Sequence, residues 1–163
     1  MQIAGGTAEV IRAVAGEPAA EARQFVTFVV EGRSYGIPIA AVREIIRWTR
    51  VTPLPNQPLH ARGVLNLRGT IVPVHDLRAR LSGVTTEATD SHVIVITCID
   101  TRTLGILVDA VSDILTVAAE DLKVPPQAVE SAAALALVST EDDRLVTILN
   151  LPALYGPAAG GQG

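Results

Sequence analysis

Hydrophobic and polar positions fall into short runs separated by turn formers. FVTFVV-EGR-SYGIPI, starting at Phe25, predicts two strands joined at a glycine-containing turn. IAAVREIIRW then shifts to helical spacing, with Ile39, Val42, Ile45 and Ile46 on one face, and Pro53, Pro55 and Pro58 forbid its continuation. GVLNL and GTIVPV predict strands joined near Arg68-Gly69, and DLRARL predicts a short helical turn that Asp76 caps. TTEATDS reads as a polar linker. After it, HVIVITCID and TLGILV repeat the hairpin pattern, and the following DAVSDIL repeats the helical one.

The second half restates the first. An offset of 69 residues lays Arg102 on Arg33, Gly105 on Gly36, Val108 on Ile39, Ala110 on Ala41, Val111 on Val42, Asp113 on Glu44 and Ile114 on Ile45. With a slightly larger offset, RLVTILNL falls on TIVPVHDL. The implied object is a tandem of two small β units, each a hairpin, a short helix, a second hairpin and a closing helical turn. Two small barrels sharing an apolar seam satisfy both the length and the exposed edges that isolated sheets leave. The ordered domain is expected at 24–155, with β subdomains at about 24–85 and 90–145 and a C-terminal segment packing back. Residues 1–23 and 156–163 are expected to be flexible tails, being rich in Ala, Gly and Pro without a sustained period.

Composition supports a mainly β protein: 48% of residues are hydrophobic but only 3% aromatic, so Val, Ile, Leu and Ala build the core. The lone Cys98 excludes an intramolecular disulfide, and its apolar surroundings predict a buried, inert thiol and a reducing cytosol. The first residues read as neither a signal peptide nor a span, and Ala132 to Val138 is too short to cross a bilayer. A net charge of −4 argues against general affinity for nucleic acid or anionic lipid. Locally the balance reverses: from Arg43 to Arg80 seven arginines face only Glu44 and Asp76.

Several chemistries are poorly served. Gly63 and Gly69 lack the helix and the Lys-Ser/Thr of a phosphate loop, and read as turn glycines. His75-Asp76 and Ser91-His92 are adjacent pairs, which extended chain points to opposite faces, and His60 sits in the proline loop. No catalytic residue, cofactor site or metal ligand set is assigned. Glu141, Asp142 and Asp143 lack the alternation of a calcium loop and read as a solvated turn, while Asp109 and Asp113 read as solvated neighbours on the second helix. The alternative function is a small β-barrel nucleic-acid-binding protein, but aromatic stacking platforms are few. Arg68, beside its turn glycine, is positioned to pair with a carboxylate, either Glu44 or an acid on a partner.

The run RGVLNLRGTIVPVHDLRARL, preceded by VREIIRW and TPLPNQP and followed by HVIVITC and LGILVDAVSDIL, resembles the CheW family of coupling proteins from bacterial chemosensory arrays. The resemblance covers about residues 24 to 155. It implies two intertwined five-stranded SH3-like β-barrel subdomains around a shared apolar core, with short helices and no catalysis. It further implies a cytoplasmic adaptor, associated with membrane-bound receptor arrays and not inserted in the membrane. Its partners would be the cytoplasmic tip of a methyl-accepting chemoreceptor and the regulatory domain of a CheA-type histidine kinase, and not nucleic acid. Carried over by position, the receptor-binding residues are Val42, Gly63, Val93, Val111 and Ile114, with Glu44 and Arg68 as a polar pair. Family members commonly carry glycines where this chain reads SAAALALVSTEDDR.

Overall fold

The computed structural model describes residues 22–123, 134–140 and 142–155. The expected tails lie outside these residues, except that Ala22 and Arg23 open the first strand. The strands are β1 (Ala22–Val30), β2 (Arg33–Pro38), β3 (Val42–Arg47), β4 (Ala61–Leu67), β5 (Thr70–Asp76), β6 (Val93–Ile99), β7 (Arg102–Val108), β8 (Ala110–Ala118), β9 (Ala134–Ser139) and β10 (Leu145–Leu149). Two short helices accompany them, α1 (Leu77–Ser82) and α2 (Leu151–Tyr155). The strands form two five-stranded sheets, ordered β8-β1-β2-β10-β9 and β3-β6-β7-β5-β4.

These orders follow from the repeat. It maps β1 and β2 onto β6 and β7, and β3, β4 and β5 onto β8, β9 and β10, so one sheet order turns into the other under the mapping. Each sheet takes its leading hairpin from one repeat and three strands from the other. The exchange is made by the two parallel pairings: β10 runs beside β2, from Val146 opposite Ser34 to Ile148 opposite Gly36, and β5 runs beside β7, from Val74 opposite Gly105 to Asp76 opposite Leu107. Parallel strands need long crossovers, which the intervening elements supply.

Gly36 and Gly105, at matching points of the repeat, stand at these joins. A Cβ on Gly105 would lie 2.7 Å from Ile94 Cγ2 and 3.5 Å from Val74 Cγ2, and one on Gly36 would lie 3.0 Å from Ile148 Cδ1. Close packing, not an unusual backbone angle, favours glycine at both positions, and the clash is the tighter at Gly105, since the neighbour at Gly36 is the tip of the Ile148 side chain.

Compactness divides the chain into two interleaved units. The first holds the described residues 22–27, 34–39 and those from 112 onward; the second holds 28–33 and 40–111. The first has a core of Phe25, Val117, Ala136, Val138, Val146 and Ile148. The second is built on Leu65, Val72, Val74, Ile94, Ile96 and Leu107, with Trp48 and Ile46 packed against them. In β1, Phe25, Val26, Thr27 and Phe28 are all buried, so that strand is covered on both faces instead of one.

Both expected helices are strands. IAAVREIIRW makes a single 3₁₀ turn at Ile39–Ala41 and then enters β3. Val42, Ile45 and Ile46 are β-branched, and β6 offers an uncharged partner along their length, so ladder bonds and side-chain packing outweigh the helical spacing. AVSDIL likewise lies in β8, with Asp109 at the bend before it, and Asp109 and Asp113 do not share a helical face. Asp113 Oδ1 accepts from Thr27 Oγ1 at 2.7 Å, and Asp109 Oδ2 accepts from the Glu31 N–H at 2.9 Å.

Elsewhere the local signals hold. Glu31 and Gly32, and Arg68 and Gly69, have φ of 54° and 75° and of 51° and 89°, the paired positive values whose twist suits two-residue hairpin turns. Asp76 caps α1, accepting from the Ala79 N–H at 3.3 Å. Fully buried, it also accepts from Thr86 N at 2.6 Å and Thr86 Oγ1 at 2.8 Å. Arg62 lies 3.7 Å from the same carboxylate and donates to the Thr86 carbonyl at 2.8 Å. The polar linker is thereby tied to the second unit by a buried charge whose acceptor sites are satisfied.

The proline loop is fastened beside it. The Asp76 N–H donates to the His60 carbonyl at 2.6 Å, and the Nδ1 atoms of His60 and His75 lie 3.2 Å apart. One neutral ring donates and the other accepts, so protonating both would set two donors against each other. Burial, then the charges of His60, Arg102 and Arg80, hold His75 down at about 4, below its ordinary 6.5. Because the unfolded chain binds this proton more readily, the contribution to stability is complete above pH 6.5 and is lost as pH falls towards 4. Urea midpoints measured between pH 7.5 and 4.5 are expected to fall across that window, with a smaller fall in His75→Gln. Gly105→Ala is expected to cost roughly 1–3 kcal/mol, read from the same midpoints, because its methyl group meets two packed core side chains.

Candidate partner-binding site

β3 and β4 are the two ends of the second sheet, and two fastenings bring them together. Thr52, just beyond β3, exchanges backbone hydrogen bonds with Val64 of β4 at 2.8 and 2.9 Å. Glu44 of β3 meets Arg68 of the β4–β5 turn, with Arg68 Nη2 2.6 Å from Glu44 Oε2 and 3.0 Å from Oε1. The sheet is curled until its edges touch, and the exposed-edge problem is met by closure.

Gly63 makes the first fastening possible. Its φ is +141°, and a Cβ there would lie 2.2 Å from the Thr52 carbonyl oxygen. It is not a turn glycine, as the spacing suggested, but lies inside β4 at a close backbone approach. Gly69 does occupy the turn, where its N–H donates to Asn66 Oδ1 at 2.7 Å.

Of the two carboxylates the sequence allowed, Glu44 is the one that meets Arg68 within this chain. Arg68 is 72% exposed and Glu44 31%, so water screens the pair and it contributes on the order of 0–1 kcal/mol to stability. Its value lies in position. Only Nη2 contacts Glu44, which leaves the other edge of the guanidinium to an external acceptor.

The structure places the other candidates as follows. Val42 begins β3 opposite Thr97, and Val93 begins β6 opposite Arg47; both are half-buried. Val111, in β8, belongs to the same compact unit and is also half-buried. Ile114, 56% exposed on β8, belongs to the first unit. The contact directly observed among the seven is therefore that of Glu44 with Arg68.

Two neighbourhoods escaped sequence reasoning. Cys98 is half-buried instead of buried, with Arg43 Nη2 3.4 Å from its sulfur, because a bulge at the start of β3 brings Arg43 beside the end of β6. His92 Nε2 lies 3.5 Å from Asp109 Oδ1, and its Nδ1 lies 3.1 Å from Thr89 Oγ1. That alignment has the outline of a hydroxyl–imidazole–carboxylate relay, but Nδ1 also accepts the Thr89 backbone N–H at 3.0 Å. Its lone pair is committed to holding the turn and is not available as a base. Neither neighbourhood has a sequence signature, since each depends on strand register. Among the described residues no three His, Cys, Asp or Glu side chains gather as a metal site, and no helix is long and apolar enough to cross a membrane.

Fold and site define an all-β protein of two exchanged five-stranded units with an exposed ion pair on a hairpin turn. The model of the CheW-like domain matches residues 24–157. A chemotaxis protein CheW of Rhizobium meliloti (strain 1021) is 44% identical over 104 residues, spanning 64% of this chain and 67% of that protein. A probable chemotaxis protein CheW of Rhizobium etli is 36% identical over 136 residues, 82% of this chain and 87% of that protein. The crystal structure of scaffolding protein TtCheW from Thermoanaerobacter tengcongensis superposes with a TM-score of 0.75 at 28% identity, covering 82% of this chain and 92% of that one. The chain belongs to the CheW-like domain family. Its class is that of a chemotaxis adaptor or scaffold.

Gly63→Ala is expected to lower stability by roughly 2–4 kcal/mol, since it combines backbone strain with a clash against Thr52. Denaturation followed by the fluorescence of Trp48, which packs on the second core, reports this directly.

Proposed function

We propose that this chain is a non-enzymatic cytoplasmic adaptor that links a chemoreceptor's cytoplasmic tip to the regulatory domain of a CheA-type histidine kinase. Holding both in one array lets receptor state control kinase activity. The observation that carries the reading is the Glu44–Arg68 pair, closed at 2.6 Å at the two positions expected to face the receptor. A screened ion pair fastened to a closed sheet offers a fixed charge at little conformational cost, which suits the rim of a protein interface better than its core. Val42, Gly63, Val93, Val111 and Ile114 are proposed as the remaining receptor-binding residues. Gly63 serves indirectly, by holding Thr52 against β4.

Isothermal titration against a receptor cytoplasmic fragment and a kinase regulatory domain from the same genome tests this. Both are expected to bind. Arg68→Glu is expected to weaken the receptor complex about tenfold, or about 1.4 kcal/mol, without changing the melting curve. Val42→Asp is expected to weaken it further, with circular dichroism distinguishing lost docking from lost fold. Binding to neither partner by a folded sample would overturn the proposal.

A further inference from the structure

Val93 occupies the end rung of two antiparallel ladders, opposite Arg47 of β3 and opposite Val108 of β7. Strand ends open most readily, so a docking residue placed there depends on contacts beyond the last rung. His92 and Asp109, the neighbours of Val93 and Val108 just past that rung, supply them. His92 Nε2 lies 3.5 Å from Asp109 Oδ1, and the His92 side chain is 15% exposed, so the contact is largely shielded from water. Asp109 stands two residues before Val111. Along the chain, the pair thus adjoins two of the residues proposed to bind the receptor.

Each member is anchored from behind by backbone. The Asp109 N–H donates to the Val29 carbonyl, and Asp109 Oδ2 accepts from the Glu31 N–H, both at 2.9 Å, which ties the carboxylate to the β1–β2 turn. The His92 carbonyl accepts from the Trp48 N–H at 3.0 Å, just beyond β3, and the His92 N–H donates to the Thr89 carbonyl at 2.9 Å. Nδ1 accepts from the Thr89 N–H at 3.0 Å, so the proton of the neutral ring is on Nε2, the side of Asp109 Oδ1. All these residues belong to the second unit. The fold itself does not require the pair. Under the 69-residue offset His92 falls on Arg23 and Asp109 on Ala40, whose side chain has no acceptor, yet the matching hairpin and the strand after it form there as well.

We infer, on the docking reading above, that His92 and Asp109 are positioning residues for the receptor-binding surface. Their contact holds the start of β6 and the β7–β8 bend at one spacing, so Val93 and Val111 are presented already ordered and lose less freedom when a partner docks. Breaking it lowers affinity for the partner that uses those valines. Stability and binding elsewhere are unaffected, because each residue keeps its backbone anchors.

Two substitutions break the contact from opposite sides. In His92→Asn the amide oxygen takes the place of Nδ1 and holds the Thr89 N–H, but the side chain is too short to reach Asp109. In Asp109→Asn a single amide oxygen stands where the carboxylate had two, so it serves the Glu31 N–H and leaves amide hydrogens facing the Nε2–H. Wild type, both single variants, the double variant and Arg68→Glu are titrated as full chains against the same receptor fragment and kinase regulatory domain. Each single variant is expected to bind the receptor fragment about fivefold more weakly, and the double variant no more weakly than either, because both act through one contact. Kinase binding and melting curves are expected to match wild type. His92→Gln, whose amide N–H reaches the place of Nε2, is expected to keep most of the receptor affinity, which a role confined to the Thr89 turn would not allow. Losses that multiply in the double variant, fall equally on the kinase domain or follow a lowered melting curve mean general loosening and overturn the inference. Single variants that bind the receptor fragment as tightly as wild type overturn it too, with the docking reading left standing if Arg68→Glu binds more weakly. If wild type does not bind the fragment, the docking reading fails and takes the inference with it.

Discussion

The two parallel pairings, β5 with β7 and β10 with β2, are the constraint on which the rest of the structure depends. Without them each repeat is a set of hairpins with open edges; with them, each hairpin completes a sheet begun by the other repeat. The pairings set the sheet orders, leave little room for a side chain at 105 and less than usual at 36, and bring residues distant in sequence into each core. They are also non-local, so the entropy of closing long loops is lost before their contacts repay it.

Two fastenings draw the ends of the second sheet together. Gly63 admits Thr52 to the free side of β4, and Glu44 reaches the hairpin turn that carries Arg68. Neither fastening contributes much through apolar burial. Their effect is geometric: the ends of the sheet are held in register, and Arg68 is fixed on a two-residue turn with a defined backbone. Nearby, Asp76, Thr86, Arg62 and the His60–His75 pair anchor the linker and the proline loop through satisfied polar groups instead of apolar packing.

The family's class is that of an adaptor or scaffold, and described polar groups that lie close together are engaged within the fold. Carboxylates and imidazoles that lie close together, such as His92 and Asp109, are engaged with backbone groups. Among the described residues, the exposed cations of β3 form no ion pair, and Arg43 contacts Cys98.

Sequence alone determined the features that are local or periodic: the hairpins, the Arg68-Gly69 turn, the Asp76 cap, the tandem repeat and the motifs that mark the family. Each rests on interactions within a few residues or on direct self-similarity, so the chain displays them without folding. Tertiary structure decided what depends on a neighbour. IAAVREIIRW has apolar residues at helical spacing, yet β6 lies alongside and an extended β3 satisfies its backbone while packing its β-branched side chains. Gly63 looks like a turn residue until Thr52 is seen against it, and the meeting of Arg68 with Glu44 depends on the fold bringing β3 to the β4–β5 turn. The exchange of strands belongs to the same group, because a repeat shows that two units are alike but not which strand of one completes the sheet of the other.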